Sequence, residues 1–461
     1  MTKLVVRVII SSEIHFALPA MTEWRIHKGE QNMTLQDLFL EKFGIKPEVL
    51  EFCNKVEQEA QARFREVEEI GEFNQAKVLA ACIKAGLSES HFAGTTGYGD
   101  GDIGRETIDA IYADAFGADY AMVRMQMISG THALSTAFFG SLRHGDELIY
   151  ATGQPYDTLH RVIGITPTQG SLIDHGVKYT QIALLPDGGV DYKKLADSIT
   201  KQTKVVAIQR SKGYSFQTGF PVSEIKKMVE CVRSVRKDVL IMVDNCYGEF
   251  VEKLEPTQVG VDAIVGSLIK NPGGGIANTG GYIVGGQTFV ENAARKLFSP
   301  AMGLQLGATL GENKPMAMGF FLAPSMVAGS VKSAIFMDEV FSRLGFKTSP
   351  PASVTRTDTP QVIRLGSAER MTAFSRGIQK AAPVDSMYAP EAVYMPGYAD
   401  PIISAAGSFI QGSTSELSCD GPIRPPYDLY VQGGLTWHHG KIGCIMALNE
   451  MYMDGLVEIP K

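Results

Sequence analysis

Between residues 121 and 284, short apolar runs alternate with segments whose apolar residues repeat at helical spacing. Parallel strands need long crossover connections, usually helices, and strands covered on both faces are almost entirely apolar. The alternation therefore predicts an α/β fold with a mostly parallel central sheet and helices on both faces. Open sheets of this kind bind ligands at the carboxyl ends of their strands. The predicted strands are residues 121–128, 147–151, 179–184, 205–209, 239–243, 262–265 and 279–284.

The chain on either side of this central part has a different pattern. Charge-rich amphipathic segments precede it, and Pro47 is predicted to open one of these helices. A mixture of helical and strand-like segments follows it. The predicted helices there are residues 325–344 and 436–452, and the predicted strands are residues 361–365, 392–395, 402–410 and 429–432. The first 32 residues fit either a weak secretory signal or an N-terminal extension without fixed structure. The predicted parts are this extension (1–32), a helical arm (33–92), a large α/β domain (93–310) and a small α+β domain (311–461).

Composition excludes several classes of protein. The net charge of −7 argues against a nucleic-acid partner. The six cysteines show neither CxxC pairs nor Cys/His ligand spacing, which predicts no metal site and a reducing compartment, the cytoplasm. No apolar run approaches the ~18 residues of a membrane span, so no membrane partner is expected.

Lys270 ends an apolar run and is followed at once by a glycine-rich turn, in Val265-Gly-Ser-Leu-Ile-Lys270-Asn-Pro-Gly-Gly-Gly275. A lysine at the end of a buried strand is costly because its ammonium loses hydration. Burial should lower the pKa and make the amine nucleophilic, as a Schiff base with an aldehyde cofactor requires. Most lysines are solvated surface residues, so this feature needs support from elsewhere in the chain.

Three upstream features supply that support in a fitting order. Ser129-Gly-Thr131 stands between a predicted strand and a helix, where backbone N–H groups and hydroxyls bind phosphate, although Ser and Thr also serve as ordinary N-caps. Tyr156 lies on a loop and could stack on a planar cofactor or belong to the core. Asp244 ends a strand of Leu, Ile, Met and Val, where it could pair with a pyridinium N–H or cap a turn.

A glycine-rich segment at residues 92–105 contains Tyr98 and Arg105. It could be a simple surface loop. It could instead bring a phenol and a guanidinium to an anion, since glycines allow close approach.

These motifs together resemble the pyridoxal-phosphate (PLP) enzymes of fold type I, the aspartate-aminotransferase fold. Within that class the chain is most similar to the cystathionine-synthase and methionine gamma-lyase group, in particular to the methionine gamma-lyase-like family also named aluminium resistance protein. The resemblance runs from about Leu35 to the C-terminus. It is carried by residues 97–105, 129–133, 208–211, 243–250, 267–275 and 430–436.

The resemblance implies a role for each matching residue. Lys270 would form the Schiff base with PLP and shuttle protons. Asp244 would pair with the pyridine nitrogen, and Tyr156 would stack on the ring. The phosphate would be held by Ser129, Gly130, Thr131 and Ser267.

It also implies a homodimer or homotetramer with shared active sites. Tyr98 and Arg105 would reach the phosphate of a neighbouring subunit. The wider group has a Tyr-x-Arg spacing there, and this chain departs from that spacing at Arg105.

The implied activity is that of a carbon–sulfur lyase of amino-acid metabolism, which releases a thiol by α,β- or α,γ-elimination. The sequence leaves open an aminotransferase, another fold type I amino-acid enzyme and a non-catalytic protein of the same fold. The physiological substrate is also left open. For the substrate carboxylate, Arg424 is the predicted partner because prolines rigidify its loop, with Arg364 and Arg210 as rivals.

Overall fold

The structure is a computed structural model that describes residues 33–394 and 400–460. The predictions for residues 1–32 therefore lie outside the described residues. The chain divides into two units, Met1–Gly44 and Ile45–Lys461.

The described part of the first unit is one short helical segment. Helix α1 (Leu35–Asp37) continues into a π-helix (Leu38–Lys42). Thr34 and Asp37 form a capping box, which satisfies N–H groups at the start of α1. The segment begins where the sequence predicted a helix.

The second unit contains the other helices and the strands of the described residues. The helices are α2 (Pro47–Glu59), α3 (Gln61–Lys84), α4 (Ile103–Ala115), α5 (Gly130–Ser141), α6 (Asp157–Ile163), α7 (Tyr192–Ser198), α8 (Val222–Val235), α9 (Gln287–Leu297), α10 (Asn313–Arg343), α11 (Ala368–Ala381) and α12 (Trp437–Met453). The strands are β1 (Tyr120–Arg124), β2 (Glu147–Tyr150), β3 (Lys178–Gln181), β4 (Thr203–Gln209), β5 (Leu240–Asp244), β6 (Ala263–Ser267), β7 (Gly281–Gly285), β8 (Lys347–Ser349), β9 (Gln361–Arg364), β10 (Ile402–Ala406), β11 (Ser418–Pro422) and β12 (Asp428–Gln432).

The central sheet has the strand order β1-β7-β6-β5-β4-β2-β3 within the described chain. Its strands β3, β2, β4, β5 and β6 are parallel, whereas β7 runs antiparallel to both of its neighbours. The connection from β6 to β7 contains only a 3₁₀ turn (Asn271–Gly273) and no crossover helix, so the chain returns in the opposite direction. The α/β fold with a mostly parallel sheet is thus confirmed.

The parallel arrangement brings the ends of three strands together. Gln209, the last residue of β4, pairs with Asp244, the last residue of β5. Asp244 in turn pairs with Val265 of β6, two residues before Ser267. Polar groups that are distant in sequence therefore meet at one edge of the sheet.

Helix α5 is held in place by close packing against α9. A Cβ at Gly140 would lie 2.9 Å from the Cα of Ala293, so only glycine allows this approach. Apolar side chains such as Phe138 and Val290 fill the space between the helices and the sheet. The packing fixes the position of the α5 N-terminus, where the Ser129-Gly-Thr131 motif lies.

Helix α10 begins at Asn313, well before the predicted start at residue 325, because Pro324 lies inside the helix and does not end it. In length and apolar composition this helix could cross a membrane, contrary to the expectation that no apolar segment would qualify. However, 72% of the most apolar 18-residue stretch of this helix is buried inside the protein, as in a core helix.

The second sheet is antiparallel, with the order β10-β11-β12-β9-β8 among the described residues. Strands at residues 361–364 and 428–432 agree with prediction, whereas β8, β11, α9 and α11 were not predicted. Of the strand-like segment predicted at 392–395, the described part forms only an isolated bridge from Val393 to Ile402. The predicted domain boundaries at residues 92 and 310 remain predictions.

Candidate active site

A cavity of about 240 Å³ lies at the carboxyl ends of β4, β5 and β6. Most of the predicted cofactor-binding residues meet there although they are spread over much of the chain. Those lining the cavity are Ser129, Gly130, Thr131, Tyr156, Asp244, Ser267 and Lys270.

The N-terminus of α5 forms one wall of the cavity. Ser129 caps the helix, because its side chain accepts a hydrogen bond from the His132 N–H at 3.1 Å. The hydroxyls of Thr131 and Thr158 are 2.7 Å apart. A helix N-terminus lined by hydroxyls has the electrostatic character of a phosphate site.

Gly130 packs closely against the ends of two strands of the sheet. A Cβ at this position would lie 3.2 Å from the Cys246 Sγ and 3.5 Å from the Ser267 Cβ. The turn before α5 therefore abuts the ends of both β5 and β6. A side chain at residue 130 would project into this junction.

Asp244 is buried at the end of β5. Its Oδ1 accepts a hydrogen bond from the Cys246 N–H at 3.1 Å. Burial raises the pKa of Asp244, and the nearby Lys270 ammonium opposes this effect. A carboxyl group held this way is suited to pair with a cationic N–H group.

Lys270 is partly buried at the edge of the cavity, with its Nζ 4.1 Å from the centroid of the Tyr247 ring. Burial disfavours the ammonium. Nevertheless the pKa of Lys270 is raised well above its ordinary value, because Cys246, Tyr247, Asp244 and Tyr156 together outweigh the loss of hydration. The predicted lowering of this pKa is therefore wrong: the acid groups around the amine were not included in an argument from burial alone.

Tyr156 stands just before α6 with its ring at the cavity. Its backbone N–H donates to the Gln209 Oε1 at 2.8 Å, which ties the loop to the end of β4. Its ring centroid lies 5.9 Å from that of Tyr214. The loop position predicted from sequence thus brings an aromatic face to the site.

The two residues predicted to serve a neighbouring subunit differ in their surroundings. Tyr98 is 72% exposed, which suits a contact outside its own chain. Arg105 is fully buried and donates to the backbone carbonyls of Gly99, Gln305 and Gly307 at 2.6, 3.0 and 3.1 Å. Arg105 thus joins two loops of its own chain.

The arginines predicted to bind the substrate carboxylate do not line the cavity. Arg424 is an exposed residue whose Nη1 lies 2.8 Å from Asp400. Arg210 is fully buried and bonds to Glu252 at 2.7 Å and Asn245 at 2.8 Å. Arg364 forms a two-point ion pair with Asp428 at 2.7 and 2.9 Å.

Other residues at the cavity were not identified from the sequence. Cys246 and Tyr247 stand two and three residues after Asp244, and this proximity was an available signal. Tyr247 adopts φ 71°, a left-handed conformation that is rare outside glycine. Thr414 reaches the cavity from the C-terminal part of the chain, and no local pattern indicates that contact.

A second cavity of about 270 Å³ adjoins the first, and Tyr156, Gln209, Ser211 and Gly213 line both. Amide and hydroxyl side chains line much of the second cavity. They include Thr152, Gln154, Ser215, Gln217 and Thr218.

The fold and the site together define the class: this is the fold type I architecture of PLP-dependent proteins. The PLP-dependent protein YhfS of Escherichia coli shares the fold at 14% identity, with a TM-score of 0.55 over 83% of this chain and 96% of its own. The methionine gamma-lyase family profile matches residues 49–452, and the chain therefore belongs to this family.

Several relatives support this membership. YnbB of Bacillus subtilis, described as uncharacterised, is 47% identical over 405 residues, which cover 87% of this chain and 96% of YnbB. The crystal structure of a Clostridium novyi protein, described as a carbon–sulfur lyase involved in aluminium resistance, has a TM-score of 0.87 at 42% identity. The match covers 91% of this chain and all of that one.

Proposed function

We propose that the protein is a PLP-dependent carbon–sulfur lyase that acts on a sulfur-containing amino acid. The observation that carries the proposal is that Lys270, Asp244, Tyr156 and the Ser129-Gly-Thr131 turn line one cavity. Membership of the methionine gamma-lyase family and the description of the C. novyi protein support the same activity.

The residues of the cavity fit PLP. The α5 N-terminus, Gly130 and the hydroxyls of Thr131, Thr158 and Ser267 suit its phosphate. Asp244 suits its pyridine nitrogen, Tyr156 its ring and Lys270 its aldehyde. When bound, PLP would supply an electron sink for the electron pair left on the substrate α-carbon.

The protein would then move protons and exclude water. Lys270 would take the α-proton at Nζ and return a proton to the departing sulfur or to the product. Asp244, buried at the sheet edge, would keep a compensating negative charge beside the cationic ring nitrogen. Elimination followed by hydrolysis yields a thiol, a keto acid and ammonia.

The second cavity supports a polar leaving group. Methanethiol needs only a small apolar space, whereas amides and hydroxyls suit a thiol that carries its own amino and carboxylate groups. We therefore favour a thioether such as cystathionine over methionine. The proposal also includes a homodimer or homotetramer, with Tyr98 contributing to a neighbouring site, and a cytoplasmic location.

The test is an absorbance scan of the purified protein with PLP, followed by addition of cystathionine, methionine and cysteine. We expect a yellow protein that releases keto acid and ammonia. A Lys270→Ala variant should lose the absorbance near ~420 nm that is expected of lysine-bound PLP. Formation of a new amino acid would instead indicate an aminotransferase, and failure to turn yellow would indicate a non-catalytic protein.

A further inference from the structure

Glu249 is a fully buried acid close to the strand end that carries Lys270. The Tyr282 hydroxyl donates to its Oε1 at 2.7 Å, while Oε2 has no hydrogen-bond partner among the residues described. Burial raises the pKa of Glu249 to about 8, although the bond from Tyr282 opposes this effect. At pH 7 the side chain is therefore mainly the neutral acid.

Glu249 contacts the chain on both sides of Lys270. A Cβ at Gly266 would lie 2.7 Å from the Glu249 Oε1 and 2.5 Å from the Tyr282 ring, so the acid and the phenol press directly on β6. On the other side, the Asn271 side chain donates to the Glu249 backbone carbonyl at 3.1 Å. The segment that presents the lysine thus meets the Glu249 side chain at residue 266 and the Glu249 backbone at residue 271.

The groups that face Glu249 carry little compensating charge. Tyr112 of α4 and Tyr282 of β7 are phenols whose pKa values burial raises well above the ordinary value, so both are neutral. Cys246 is a buried thiol, whose pKa burial likewise raises. The charged groups that influence Glu249 are Glu255 and, more weakly, Lys270.

We propose that Glu249 is a positioning residue for Lys270: as a neutral acid it fixes the strand end and keeps a further negative charge away from the lysine amine. This inference rests on the proposed role of Lys270 in holding PLP. Asp244 already favours the ammonium form of Lys270. An ionised Glu249 would favour it further and reduce the fraction of free amine available to react.

The experiment measures how fast Lys270 captures PLP. PLP is added to the apoprotein between pH 6 and 10, trapped with borohydride and located by mass spectrometry. Wild type and Glu249→Gln should react at similar rates at pH 6–7. Near pH 9.5 Glu249→Gln should be about threefold faster or more, because only the wild type gains a negative charge.

Two further variants separate positioning from charge. Tyr282→Phe and Glu249→Ala should slow capture at every pH, since both loosen the strand end. Glu230→Gln, at an exposed glutamate on α8, should match the wild type throughout. Melting curves check that each variant is folded, and Glu249→Gln keeps the test decisive if Glu249→Ala does not fold.

Identical rates for wild type and Glu249→Gln near pH 9.5 would overturn the inference. So would a Glu249→Gln variant as slow as Glu249→Ala at pH 7, because that would mean that the ionised acid is needed. Capture of PLP by another lysine, unaffected in Lys270→Ala, would instead refute the proposed function, and this inference with it.

Discussion

At the scale of single residues, the pKa of Lys270 depends more on its acidic and aromatic neighbours than on its burial. Replacing Asp244 with Asn removes the carboxylate that favours the ammonium form. We expect the apparent pKa of Lys270 to fall, because one of the groups that favour its ammonium form is lost. The pH dependence of PLP capture by the apoprotein measures it, and an unchanged profile would show that Asp244 does not act on this amine.

Arg424 shows how tertiary structure changes an expectation from sequence. If Arg424 were the partner of the substrate carboxylate, replacing it with Ala should raise KM at least ~tenfold. The observed exposed ion pair with Asp400 leads us to expect less than about a twofold change, because such pairs contribute little. Steady-state kinetics on an amino-acid substrate decide between the two values.

Glu249 should also affect stability. The native protein keeps a proton on this acid up to a pKa of about 8, whereas the unfolded chain loses it near the ordinary value of 4.5. Stability from this group is thus fully present below pH 4.5 and is lost as the pH rises through 8, by at most about 1.4 kcal/mol per pH unit. Urea unfolding between pH 5 and 8 measures this effect. The free energy of unfolding should fall less steeply with pH for Glu249→Gln than for the wild type. Equal slopes for the two proteins would contradict a neutral Glu249.

At the scale of elements, α5 offers a matched pair of glycines at its two ends. Gly130→Ala places a Cβ 3.2 Å from the Cys246 Sγ, at the proposed phosphate site, while alanine favours the helix itself. We expect PLP affinity to fall roughly tenfold with little change in Tm. Spectroscopic titration with PLP and thermal melts measure the two quantities.

Gly140→Ala is the control for that variant. Its Cβ would lie 2.9 Å from the Ala293 Cα, so the packing of α5 on α9 must shift at a cost of about 1–3 kcal/mol. We expect a lower Tm. If Gly130→Ala lost stability and kept its PLP affinity, the turn before α5 would not be the phosphate site.

Element boundaries were predicted well where local signals are strong. Pro47 at the start of α2 and the apolar strand β5 with Asp244 at its end are examples. The prediction failed at α10, which was expected to begin at residue 325 but begins at Asn313 and contains Pro324 in its interior. Most of its apolar stretch is buried inside the protein. It also missed the reversal of β7, because strand direction depends on pairing and leaves no mark in the strand's own sequence.

At the scale of the whole molecule, the proposed assembly is open to direct test. Light scattering should give twice or four times the chain mass of 50.0 kDa. Tyr98 is exposed in its own chain, so Tyr98→Ala should weaken PLP binding without changing the fold. A monomer with full PLP affinity would contradict shared active sites.

The sequence by itself determined the chemical groups of the site and their order along the chain. These are small polar residues at a helix start, a tyrosine on a loop, an aspartate at the end of an apolar strand, and a lysine after the following strand. These are local signals, since strand ends and helix starts are encoded by adjacent residues. Only the tertiary structure decided which groups surround Arg105, Arg210 and Glu249. Their partners come from distant segments, and whether a charged side chain faces a cavity or a buried counter-charge depends on how those segments pack.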